Sequence, residues 1–134
     1  METISFNVNK QWFELYKAKT KCTEYREINP FWTKRLLYNN APQYWDKEDE
    51  IYTEELYNHD RTAYEVIIRQ LLDHKILKPK TFKIVQIMCG YPHRNDMERR
   101  IFAIWNSLTI GKPNPQWAPQ EMWNNDLFCT NMLH

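Results

Sequence analysis

A chain of 134 residues, 43% apolar and 26% charged, is long enough to bury a core as one domain and too short for much beside it. The net charge of +1 excludes a molecule that attracts nucleic acid over its whole surface. Cys22, Cys89 and Cys129 are odd in number and widely spaced, which argues against a disulfide framework. No apolar run reaches the roughly 18 residues of a spanning helix, and Met1-Glu2-Thr3-Ile4 does not open a signal peptide. The expected location is the cytoplasm, with no membrane association.

Residues 3–8 alternate: Ile4, Phe6 and Val8 on one side, Ser5 and Asn7 on the other, as in a half-buried strand. Residues 10–17 carry Trp12, Phe13, Leu15 and Tyr16 at the spacing of a short helix with an aromatic face. Residues 19–21 read as a polar turn and 23–28 as a second strand. Pro30 can open a helix with Asn29 as its cap, and 39–42 end it. Residues 43–60 have no clear period and are expected to be loop or short helical pieces. Within them, residues 46–55 hold six acids and one lysine, a net of −5, so the rest of the chain sums to +6. A local basic face is therefore compatible with a near-neutral total.

The clearest helix is expected over 62–77. Tyr64, Ile67, Ile68, Leu71 and Leu72 form its stripe, and Lys78-Pro79-Lys80 breaks it. That stripe suits packing against the rest of the domain. Residues 82–88 are apolar on both faces, as in a central strand, and Cys89-Gly90-Tyr91-Pro92 is a turn. Residues 98–108 read as strand, 110–115 as a loop with Gly111, Pro113 and Pro115, and 127–133 as a closing strand. Strands precede and follow the helices without a βαβ rhythm, so the expected class is α+β, or a barrel with appended helices.

The most informative stretch runs from Trp12 to Arg35. Glu24 and Arg26 are two apart on an expected strand and project to one face. Lys21 stands in the turn before them. A carboxylate between two cations stays ionised. Such a trio can hold a phosphate through its cations and a base amine through Glu24. The rival reading is an exposed strand of alternating charges, whose ion pairs stabilise little.

The order Lys21-x-x-Glu24-x-Arg26, after a short helix, resembles the ASCH domain family, whose pattern is G-x-K-x-x-E-x-R. Ala18-Lys19-Thr20 replaces the glycine approach. Glu24-Tyr25-Arg26-Glu27-Ile28, Pro30-Phe31-Trp32 and Lys34-Arg35 are similar to a bacterial and phage subgroup. Residues 82–91, Ile110-Gly111, Pro115-Gln116-Trp117 and 128–133 resemble its central strand, late loop and final strand. The resemblance covers 3–38 and 81–133 and leaves 41–79 as an insertion in a single ASCH-like domain.

What the resemblance implies is a PUA-like β-barrel with a cleft beside the motif strand, binding RNA or a modified nucleoside or nucleotide. Some bacterial members are amidohydrolases that remove an acetyl group from a cytidine amine, using a motif lysine and threonine with a distant glutamate. Lys21 matches the lysine. The threonine position falls on Glu24, with Thr23 one residue away. In the binding reading, Lys21, Glu24 and Arg26 contact the ligand, Lys34 and Arg35 extend a basic rim, and Trp32, Tyr91 and Trp117 stack on bases. Core packing is the rival for these rings. In a hydrolase, of a nucleoside amide or of RNA, Lys21 and Glu24 would be catalytic. A third reading is a phage or host interaction domain that meets a protein partner through 41–79.

Cys89-x-x-x-His93 has too few companions for zinc, because His59 and His74 stand at no matching spacing. No metal and no cofactor are expected. Cys22, beside Lys21, is a conceivable thiol nucleophile, but a small buried residue is the simpler reading.

Overall fold

In a computed structural model the chain is described over residues 2–44 and 54–134, and it is mixed α+β. It divides into two compact units, one of residues 1–25 with 81–134 and one of residues 26–80.

The first unit is built on a sheet. Strand β1 (Thr3–Val8) buries Ile4, Phe6 and Val8, as its alternation requires. Helix α1 (Lys10–Lys17) starts where Asn9 accepts a hydrogen bond from the Trp12 amide. It buries Phe13 and Tyr16 on the aromatic face. Its end is turned by Lys19, which lies in the left-handed region at φ 62°. β2 (Thr23–Glu27) follows. β5 (Ile84–Cys89), β6 (Arg100–Gly111) and β7 (Leu127–Leu133) complete the sheet, in the order β1-β5-β6-β7-β2.

β1 lies parallel to β5 with Phe6 opposite Ile87, and β5 lies antiparallel to β6 with Val85 opposite Ala103. Those residues, with Ile4 and Val8, make the buried face of the sheet. The other face of β5 is only half covered, so 82–88 is an interior strand with one buried face rather than two. β6 runs on to Gly111, past the point where the prolines place a loop, and its register against β7 shifts between Trp105 and Ser107. β7 stands between β6 and β2 and does not close the row. The described strands form no closed barrel. Gly90, at φ 66°, turns the chain out of β5, held by its amide on the Val8 carbonyl and by Asn7 Nδ2 on its own carbonyl.

The second unit is mainly helical. Asn29 caps α2 (Pro30–Leu36), accepting from the Trp32 amide, with Pro30 in the first turn. The helix stops at Leu36 because the chain becomes extended at Leu37. β3 (Leu37–Asn39) then pairs antiparallel with β4 (Leu77–Pro79), a two-stranded ladder that the sequence did not announce. Residues 54–59 are helical, and Asp60 caps α3 (Arg61–Asp73) by accepting from the Ala63 amide. α3 is shorter than its apolar pattern. Lys75 takes a left-handed conformation at φ 59°, and the Ile76 amide returns to the Leu71 carbonyl. Of the stripe, Tyr64 and Ile68 are fully buried, with Leu36, Leu37 and Leu77 also in the core. The Tyr64 hydroxyl donates to Thr33 Oγ1 at 2.8 Å. Glu27 accepts from Tyr57 at 2.9 Å and pairs with Arg61. The acidic run 46–55 lies outside the described residues except for Glu54 and Glu55. The expected partner segment 41–79 is described only at 41–44 and 54–79.

Candidate functional site

Lys21 follows a turn in which the Thr20 and Lys21 amides both reach the Leu15 carbonyl. That turn points the lysine inward. Lys21 is 3% exposed and Glu24 is 4% exposed. Lys21 Nζ lies 3.4 Å from Glu24 Oε1, and the same oxygen accepts the Tyr16 hydroxyl at 2.6 Å. Three rings surround the ammonium: Trp12 at 4.8 Å, Tyr16 at 5.1 Å and Tyr25 at 5.7 Å from their centroids. His134 Nε2 sits 2.7 Å from the Lys21 carbonyl. A buried charge must be paired and hydrogen-bonded to persist. Here the carboxylate supplies the opposite charge, and the ring faces replace water around the cation.

The exposed strand of alternating charges is therefore not what forms. Thr23, Glu24 and Tyr25 are all buried, so the strand alternation does not separate an inner from an outer face at this point. Neither Lys21 nor Glu24 presents an open surface to a phosphate. Of the groups around them, Trp12 and Tyr16 were legible as an aromatic helix face. Their convergence with Tyr25 and His134 had no signal in the sequence, because it depends on strand and terminus placement.

Arg26 belongs to the second unit. Its guanidinium carbon lies 4.9 Å from the Trp32 ring centroid. On α2, Arg35 stands 3.3 Å over the Phe31 ring and donates to the Phe31 carbonyl at 3.0 Å. Phe31 and Trp32 meet edge to face at 5.1 Å. Phe31 is 53% exposed, Lys34 and Arg35 are exposed, and Lys80 Nζ donates to the Lys34 carbonyl at 2.8 Å. Helical spacing places Phe31 and Arg35 four apart on one side. The result is a surface on which guanidinium planes and ring faces already lie against each other.

No family model matches the chain, and no curated protein or solved structure is significantly similar to it.

The remaining expected residues belong to the first unit. Tyr91, after Gly90 in the first unit, is 91% exposed. Trp117, in the single turn Pro115–Trp117, packs on the small core of Tyr25, Ala118, Leu127 and Cys129. That packing accounts for its position. The Tyr25 hydroxyl accepts from the Asn114 amide at 3.1 Å, and burial raises its pKa. Burial also pushes the Cys129 thiol up, away from a reactive thiolate. Among the described residues no group of three or more His, Cys, Asp or Glu is placed to hold a metal ion. None of their helices is long and apolar enough to cross a membrane.

Proposed function

We propose that the chain is an RNA- or modified-nucleotide-binding module of the ASCH type on a PUA-like fold, and that its contact surface is Arg26 with Phe31, Trp32, Lys34 and Arg35. The observation that carries this reading is the pair of stacked guanidiniums, Arg26 on Trp32 and Arg35 on Phe31. Single-stranded nucleic acid is held by cations that track phosphates and by rings and guanidinium planes that stack on bases. Both kinds of group stand together here, and their mutual stacking lowers the entropy lost on binding.

The Lys21–Glu24 pair has a framing role in this reading. Glu24 stands where the hydrolytic members have a threonine, and it is engaged by Lys21 and Tyr16 away from solvent. That favours binding over amide hydrolysis. Support for the ASCH resemblance comes from Lys19. The family pattern writes glycine two residues before its lysine, and this chain has φ 62° at that position.

The test is the affinity for single-stranded RNA at two salt concentrations. Binding is expected to weaken with salt. The slope of log K on log salt is expected to shrink by roughly 0.7 for each phosphate contact removed in Lys34→Ala or Arg35→Ala. Binding that ignores salt, or that survives Arg26→Ala together with Trp32→Ala, excludes this surface.

A further inference from the structure

The turn 90–99 and the exposed face of β5 and β6 enclose an open groove of about 480 Å³, lined by Gln86, Pro92, Arg94, Met97, Arg100 and Phe102. It lies wholly in the first unit and contains none of the residues of the α2 surface. Its lining has two guanidiniums and no carboxylate. Neighbouring Arg99 is paired with Asp96 at 3.6 Å, whereas neither Arg94 nor Arg100 has an acidic partner among the described residues.

The groove is built rather than incidental. Arg100 Nη1 donates to Gln86 Oε1 at 3.2 Å and to Met88 Sδ at 3.1 Å. Its Nη2 donates to the Pro92 carbonyl at 3.4 Å and to the His93 carbonyl at 2.9 Å. The guanidinium thereby pins the turn to the sheet and sets the groove wall. Arg100 Nε is buried with no acceptor among the described residues, an arrangement that proteins seldom keep without cause. Gln86 Nε2 is held by Ser5 Oγ at 2.9 Å, which fixes the floor. Phe102 is an interior-strand residue, opposite Gln86, yet it is 51% exposed. Pro92 and Met97 complete an apolar half beside it.

A flat apolar platform next to two unneutralised guanidiniums fits a ligand with a planar ring and a doubly charged anion. We propose that this groove binds a nucleoside monophosphate, with the base on Phe102 and the phosphate toward Arg94 and the edge of the Arg100 site. The volume lies within the range of small-molecule sites. A phosphate dianion is drawn to two cations in one groove more strongly than a monocarboxylate is, with Arg94 supplying the hydrogen bonds and Arg100, whose Nη donors are engaged, supplying charge alone. Arg100 acts mainly as a positioning residue, since its nitrogens are engaged with the turn. Arg94 is exposed and makes the direct contact.

Calorimetric titration of the whole chain with AMP, GMP, CMP and UMP, with the nucleosides and with inorganic phosphate, tests the assignment. At least one monophosphate is expected to bind, and Phe102→Ala and Arg94→Gln are each expected to weaken it about tenfold or more. Both side chains are exposed, so both variants are expected to keep the wild-type melting temperature. Four results overturn the proposal: no monophosphate binds in the millimolar range, binding is unchanged in both variants, the nucleoside binds as well as its monophosphate, or inorganic phosphate binds as well. The α2 surface is not involved in any of these readings, so this groove and the RNA surface stand or fall separately.

Discussion

Two cations of one short motif have opposite fates. Lys21 is enclosed by three rings and a carboxylate in the first unit, and Arg26 lies half-buried on a single indole in the second. The difference teaches what a charge does in each setting. Enclosed, it is a structural element whose removal leaves the buried Glu24 carboxylate without the cation that faces it. Half-buried against an indole, it gains less from its surroundings than an enclosed ion pair does.

The sharpest way to break this comparison is to remove one member of the enclosed pair. Lys21→Ala is expected to cost about 3–5 kcal/mol of unfolding free energy, measured by urea denaturation. The double variant Lys21→Met with Glu24→Gln is expected to be less destabilised than that single one, because it buries no unpaired charge. Arg26→Ala is expected to stay within about 1 kcal/mol of wild type on the same curve. Equal losses at Lys21 and Arg26 would erase the distinction between them.

A smaller effect, in the second unit, depends on pH. Burial pushes the Tyr64 hydroxyl pKa up to about 12. The folded chain then holds this proton more tightly than the unfolded chain, whose tyrosine titrates at 10.0. Its contribution is complete below pH 10.0 and is lost as the pH rises towards about 12. Tyr64→Phe is expected to lose about 1 kcal/mol at neutral pH, with the Thr33 bond, and to flatten this alkaline decline. Denaturation curves at several alkaline pH values read both effects.

The smallest expected effect concerns Lys19. Glycine adopts φ 62° without the steric cost that a side chain imposes. Lys19→Gly is expected to stabilise the first unit by roughly 0.5–1 kcal/mol, seen as a rise in melting temperature. A loss of stability would mean that the lysine side chain holds the turn.

The local elements were legible because local rules decide them. Alternation placed β1, apolar spacing placed α1, and Asn29-Pro30 placed the start of α2, all as found. β7 also falls on residues 127–133. The misplaced ends share one cause. Residues 37–39 and 77–79 become strands only by pairing with each other across some forty positions, and β6 outlasts its expected end because β7 lies beside it. Neither partner is visible from within its own segment.

The candidate site divides along the same line. Residue types and spacing alone determined that Lys21, Glu24 and Arg26 fall on one strand and its approach, and that α2 carries basic and aromatic groups together. Only the tertiary structure decided that Lys21 and Glu24 are turned inward, that Trp117 belongs to a core, and that Arg94, Arg100 and Phe102 line one groove. The physical reason is that periodicity specifies directions about one segment's axis. Burial and charge pairing depend on which other segments arrive, and the chain sets those distances only when the sheet assembles.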